Sequence, residues 1–206
     1  MALIGCLGDL HGSTTNIEAT KEWMNRIQPS FVLQVGDFWA YEEEWPVPLF
    51  WCFGNHEHGP TIQKIIKGEF EFPPNNHWLM GGMENIQGVN VMVLPGLPQS
   101  RLEPGPAHYP PKVYELCMEQ KYQPVDIFLS HGCPFEFWNF LYNGATRKSE
   151  RINFEEPDIT ELVRQVKPKY SAVNGHNHRF SIDVHEGITC IRLGAKPSDM
   201  FYVLEI

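Results

Sequence analysis

Residues 48–57 read Pro48-Leu49-Phe50-Trp51-Cys52-Phe53-Gly54-Asn55-His56-Glu57. The first six make a short apolar run with the character of a buried strand, stopped by a glycine turn. An amide, an imidazole and a carboxylate follow at once, a grouping that is costly in a core and useful at a site. Four other clusters of the same kind are spread along the chain: Asp9-Leu10-His11, Gly36-Asp37, Ser130-His131 and Gly175-His176-Asn177-His178. Each follows an apolar run, and each offers Asp, Asn or His, the ligands of a hard-to-borderline metal. One such cluster is explained by capping and turn chemistry, which any α/β protein has. The ordered set of five points to a site.

Working outward from that stretch, the apolar runs alternate with helical patterns. Ala2 to Leu7 reads as a first strand, and Ser13 to Ile27 as a helix capped by Ser13 or Thr14, with Ile17, Trp23, Met24 and Ile27 inward. Pro29 stops it, and Phe31 to Val35 forms a second strand. Beyond Asn55-His56, a short helix is expected over Pro60 to Lys67 with Ile62, Ile65 and Ile66 inward, then strands at His77 to Met80 and Val89 to Leu94. The proline- and glycine-rich residues Pro95 to Pro111 read as a long surface loop at the rim of the site. A helix over Lys112 to Lys121, a strand over Val125 to Leu129, a helix over Ile159 to Val166 and a strand over Tyr170 to Val173 follow. Three strands near Phe180 to Val184, Thr189 to Leu193 and Phe201 to Leu204 end the chain. This is a layered α/β pattern, with the polar clusters where open α/β sheets bind their ligands. The clusters before the proline-rich stretch are an incomplete metal set, and those after it supply the missing imidazoles. One site drawn from both halves implies one domain over residues 1–206.

Composition narrows the classes. At 206 residues a single domain can bury roughly 70% of its unfolded surface and needs no staples. A net charge of -9 argues against a general polyanion binder, so nucleic acid is not favoured as a partner. Two divalent ions would cancel about four of those charges at one spot. The five cysteines are odd in number, never spaced as CxxC, and lie mostly in apolar runs. They read as small hydrophobes in a reducing compartment, which argues against a zinc–thiolate site. No run approaches the roughly 18 apolar residues of a membrane span. The first residues lack the basic region of a signal peptide. The expectation is a cytoplasmic protein with no membrane and no obligate protein partner.

Taken in order, the blocks DxH, GD, GNHE, SH and GHNH resemble those of the calcineurin-like metallophosphoesterases, over residues 9 to 178. The chain is similar to a small, single-domain, bacterial or phage-type member. The resemblance implies a four-layer α/β/β/α sandwich of two mixed sheets flanked by helices. It also implies a dinuclear centre of two divalent ions (Mn, Fe, Ni or Zn, with Mn favoured), bridged by Asp37. Asp9, His11 and His178 would complete one metal site; Asn55, His131 and His176 would complete the other. Such ions, about 3.5–4 Å apart, clamp a phosphate and supply a hydroxide nucleophile at neutral pH. His56 would not be a ligand. It would stabilise the transition state or protonate the leaving oxygen, so that His56 and Asp37 are the catalytic residues.

One departure carries information. The family's phosphoprotein phosphatase branch reads GDxxDR, in which the second Asp orients the catalytic His and the Arg grips the phosphate. This chain has Ala40 and Tyr41 there. His56 must then take its orientation from elsewhere, from Glu57 or from one of Glu42, Glu43 and Glu44. Without the Arg a phosphate dianion loses its bidentate clamp, which favours a small phosphodiester or nucleotide substrate over a phosphoprotein. The blocks GDF, GNHE and SH also look like those of RNA lariat debranching enzymes. Those relatives carry Cys where this chain has Asp9, and their activity is not carried over. The alternatives are a broad phosphomonoesterase and a scaffold like the sorting-complex subunit of retromer. The scaffold has no reason to keep seven ligands and His56. The segment Phe135, Phe137, Trp138, Phe140 and Tyr142 either packs the core or stacks a nucleobase, with Arg147 or Arg151 meeting phosphate. His58, His77, His108 and His185 fit no block and read as structural.

Overall fold

The computed structural model describes residues 2–97, 111–136, 138–143, 148–153 and 156–206, with backbone alone at 111, 138–143 and 148–153. In chain order the elements are β1 (Leu3–Leu7), α1 (Thr14–Ile27), β2 (Phe31–Gln34), β3 (Leu49–Trp51), α2 (Gly59–Ile66), β4 (Asn76–Trp78), β5 (Gly82–Ile86) and β6 (Val89–Leu94). They continue with α3 (Pro111–Gln120), β7 (Ile127–Ser130), β8 (Trp138–Asn143), β9 (Lys148–Asn153), α4 (Pro157–Val166), β10 (Ser171–Asn174), β11 (Ser181–His185), β12 (Ile188–Arg192) and β13 (Phe201–Glu205).

Two sheets result, in the orders β13-β1-β2-β3-β4 and β11-β12-β10-β7-β6-β5, beside a small β8-β9 hairpin. Both are mixed: their centres are parallel, and β13, β11 and β5 pair antiparallel at the edges. Side chains alternate between two buried faces, which is why the central strands read as unbroken apolar runs. Ile4, Leu33, Val35, Val93, Leu129 and Val173 meet between the sheets. Val32, Leu49 and Trp51 face the other way, against Met24, Ile62 and Ile65 of α1 and α2. Met92, Phe128 and Ala172 likewise face Val113, Leu162 and Val163 of α3 and α4. Three stacked cores between helix, sheet, sheet and helix make the expected four-layer sandwich.

Local chemistry sets the element ends. Ser13 caps α1 by accepting from the Asn16 amide at 3.4 Å, and Gln28 closes it in a left-handed conformation at φ 52°. Three expectations change. Ile66 is 50% exposed, because α2 runs only to that residue and its inward stripe is completed by Ile62 and Ile65. Strand β5 was not foreseen: Glu84 and Asn85 make it polar, and it is joined to β6 by the two-residue turn Gln87-Gly88, both at positive φ. The aromatic stretch beyond Phe135, for which no strand was expected, includes β8, paired antiparallel with β9. Most of the proline-rich loop, residues 98–110, lies outside the described residues.

Candidate metal centre

Five of the strands that the sequence placed ahead of a polar cluster run parallel within their sheets: β1, β2 and β3 in one, β7 and β10 in the other. Their carboxyl ends open on the same edge of the sandwich, and Asp9, Asp37, Asn55, His131 and His176 gather there. Glycines permit the crowding. A Cβ on Gly54 would lie 2.3 Å from Asp37 Oδ1, and one on Gly175 would lie 2.2 Å from Asp9 Oδ1. The backbone is strained as well, since His11, Asp37, His176 and His178 all have φ between 50° and 65°.

Asp9, His11, Asp37 and His178 each present a ligand atom, and these atoms lie within 4.8 Å of one another. His178 Nε2 is 3.1 Å from Asp9 Oδ2 and 3.1 Å from His11 Nε2. On the far side of Asp37, Asn55 Oδ1 lies 2.7 Å from His131 Nε2 and 3.0 Å from His176 Nδ1. Asp37 stands between the groups, with Oδ2 3.8 Å from His11 Nε2 and Oδ1 3.7 Å from His131 Nε2. The structure thus brings the seven side chains named from the sequence together at one edge of the sandwich.

The donors fit cations on three counts. Each buried aspartate spends one oxygen on a backbone amide: Asp9 Oδ2 accepts from His176 at 3.1 Å, and Asp37 Oδ1 from His56 at 2.8 Å. The other oxygens, Asp9 Oδ1 and Asp37 Oδ2, are buried with no hydrogen-bond partner, an expensive state for a carboxylate. Secondly, His131 Nδ1 donates to the Val35 carbonyl at 3.0 Å, so in the neutral ring Nε2 is bare where it faces the Asn55 oxygen. Thirdly, burial, with His131 beside it, pushes the His176 imidazole down to about 3 and so favours the neutral form that a metal requires. Burial opposes ionisation of Asp37, yet His131, the His56 amide and His11 outweigh it and hold the carboxyl below its ordinary value.

His56 is exposed beside this centre, its ring 6.1 Å from that of His11. Together with Trp39, His11 and His178 it lines a cavity of about 360 Å³. Its ring has no hydrogen-bond partner among the described residues, and Glu57 points away from it. Burial pushes the Glu57 carboxyl up, against hydrogen bonds from Tyr41, Phe38 and Gly54 that favour its charged form. Oε1 accepts from the amides of Phe38 at 2.9 Å and Gly54 at 3.1 Å, and Oε2 from the Tyr41 hydroxyl. Glu57 therefore ties the loop after β2 to the loop after β3. Glu43 pairs with Lys21 at 2.6 Å instead. Glu57→Ala would leave three buried donors unpaired, and unfolding in urea should show a loss of about 3 kcal/mol or more. Glu57→Gln, which keeps an acceptor for the two amides, should lose less than half of that.

Phe135 is buried and stacks on His185 with ring centres 5.0 Å apart, so it is no base platform. Phe137 and Arg147 lie outside the described residues, as do the side chains of Trp138, Phe140, Tyr142 and Arg151. Two features escaped the sequence reading: the Glu57–Tyr41 tie and the position of Trp39. The only signal for the first was Tyr41 standing where related enzymes place Arg.

Known proteins extend the picture. The human lariat debranching enzyme is 26% identical over 158 residues, covering 65% of this chain and 28% of that protein. The Entamoeba histolytica lariat debranching enzyme is 26% identical over 203 residues, covering 86% of this chain and 55% of its own length. The chain thus spans about half or less of these relatives. A putative 5′-nucleotidase from Staphylococcus aureus shares the fold with a TM-score of 0.55 at 12% identity, over 98% of this chain and 52% of its own. The family model for calcineurin-like phosphoesterases matches residues 2–180, a span that takes in all five strand-end clusters. With its ligand candidates gathered at one edge of a four-layer sandwich and that match along most of its length, the chain belongs to the calcineurin-like phosphoesterase family.

Proposed function

We propose that this protein is a dinuclear, metal-dependent phosphoester hydrolase acting on small phosphodiesters or nucleotide-type esters. The observation that carries the reading is Asp37: buried, bare at Oδ2, and standing between two sets of N and O donors. Asp9, His11 and His178 would hold one divalent ion and Asn55, His131 and His176 the other, with Asp37 shared. When bound, such ions supply Lewis acidity toward the phosphoryl oxygens and a nucleophile at neutral pH. The remaining work falls to the chain. Asp37 Oδ1 holds the His56 amide and so fixes the loop carrying the imidazole, which faces the cavity. From there His56 protonates the leaving oxygen or pairs with charge developing on the phosphoryl group.

Preference for a diester rests on what stands in place of the phosphate-gripping Arg. Ala40 and Tyr41 are both buried, and the Tyr41 hydroxyl is spent on Glu57. Neither offers positive charge to a terminal phosphate dianion, whereas a diester monoanion needs less. Residues 1–206 act as one domain, since the donors come from both halves of the chain. Five free, buried cysteines suit a reducing cytoplasm. Among the described residues no helix is long and apolar enough to cross a membrane.

The test is cleavage of bis-p-nitrophenyl phosphate against p-nitrophenyl phosphate, with Mn²⁺ added and with chelator. Chelator-sensitive cleavage favouring the diester is expected. Preference for the monoester would move the assignment to a phosphomonoesterase. Protein that binds no metal at micromolar levels would be a scaffold.

A further inference from the structure

Trp39 follows the bridging-aspartate loop directly, and nothing in the hydrolytic scheme uses it. Most large aromatic side chains of that region are buried: Phe38, Tyr41, Trp45, Trp51 and Phe53 pack into one core. Trp39 instead is 47% exposed and adopts φ 55°, a conformation that a bulky side chain rarely takes. That turn is what carries the ring out of the core and onto the cavity wall beside His11, His56 and His178. The ring does not swing freely there. Its indole N–H donates to the His56 carbonyl, and His58 sits 6.0 Å from it, ring centre to ring centre. A held indole, exposed at the edge of a phosphoester site, has one obvious use: it presents a π face to a flat group on the substrate.

We propose that Trp39 is a specificity-determining residue, stacking the nucleobase of a nucleotide ester whose phosphate lies at the metal centre. This rests on the hydrolase reading above and names its substrate class. A quaternary ammonium headgroup, the other ligand that tryptophan recognises, fits poorly. The remaining cavity walls are three imidazoles beside a proposed pair of dications, which repel a cation and leave a neutral ring unaffected. A cavity of about 360 Å³ is at the small end for ligand sites, which suits a mononucleotide unit and not a folded polymer.

The experiment is titration calorimetry of Mn²⁺-loaded protein with adenosine 5′-monophosphate and with ribose 5-phosphate, which carry the same phosphate with and without a base. Wild type should bind the nucleotide roughly 5- to 150-fold more tightly, the range for one stacked base. Trp39→Leu should erase that preference while leaving ribose 5-phosphate affinity unchanged. Trp39→Phe, which keeps a flat ring but not the N–H, should retain most of it. Equal binding of the two ligands by wild type, binding of neither, or a preference surviving in Trp39→Leu would each overturn the proposal. So would an equal loss for both ligands in Trp39→Leu, which marks the ring as a strut for the His56 loop. Failure of the hydrolase reading is separate: protein that prefers the nucleotide through Trp39 but cleaves no ester defeats that reading alone.

Discussion

Replacing Asp37 by asparagine is expected to remove divalent metal and ester hydrolysis together, with metal content falling from about two ions per chain to below one half and turnover falling below detection. The charge, not the shape, is what matters. Two dications about 4 Å apart repel by roughly 16 kcal/mol at an effective dielectric of 20, four times the unit-charge value. A carboxylate shared between them is the group that offsets this, and an amide of the same outline carries no net charge. The variant should still fold. The introduced amide keeps an oxygen for the backbone N–H of His56, and Asp37 Oδ2 has no hydrogen-bond partner whose loss would matter. Because interactions with His131, the His56 amide and His11 outweigh the burial of Asp37 and favour its charged form, the metal-free variant should be modestly less stable than metal-free wild type and should still unfold cooperatively. Metal analysis of gel-filtered protein, beside urea unfolding of both apo forms, decides the matter. Retention of two ions by Asp37→Asn would overturn the bridging role, and a collapse of apo stability would make Asp37 a structural residue.

Much of this site was legible because the strands that deliver it are buried on both faces. Leu3–Leu7, Phe31–Gln34, Ile127–Ser130 and Ser171–Asn174 are near-continuous buried runs, and each stops just before its ligand. A polar residue soon after such a run must sit at a sheet edge, and parallel strands put those edges together. What stayed hidden depends on contacts between distant loops. Glu57 looked like a candidate orienter for His56 because it is the next residue along the chain. Its side chain turns instead to Phe38, Tyr41 and Gly54, a choice set by where the β2 and β3 loops meet. Trp39 was one aromatic among several, and its positive φ is what separates it from Phe38 beside it. Strand β5 failed for the opposite reason to β1: as an edge strand carrying Glu84 and Asn85, it lacks the apolar pattern that identifies the centre of a sheet.

His56→Ala is expected to keep both metals and lose roughly 10²–10⁴-fold in turnover, the range for a single general acid–base group. The division follows from which atoms of His56 do what. Its amide, which the substitution preserves, donates to Asp37 Oδ1 and helps hold the carboxylate proposed to bridge the ions. Its carbonyl, also preserved, accepts from Trp39. Only the imidazole goes, and that ring stands apart from the donor atoms that would bind metal; the His11 ring is 6.1 Å away between centres. The loss should depend on the leaving group. If the imidazole protonates the departing oxygen, an ester with a poor, alkoxide-like leaving group suffers more than a p-nitrophenyl ester, whose leaving oxygen needs little help. If it instead pairs with charge on the phosphoryl group, both esters suffer alike. Steady-state rates for a p-nitrophenyl diester and an alkyl diester, measured in wild type and His56→Ala at equal metal occupancy, separate the two roles. Loss of metal from His56→Ala would defeat both, because the ring would then belong to the ligand set and not to the group acting on the substrate.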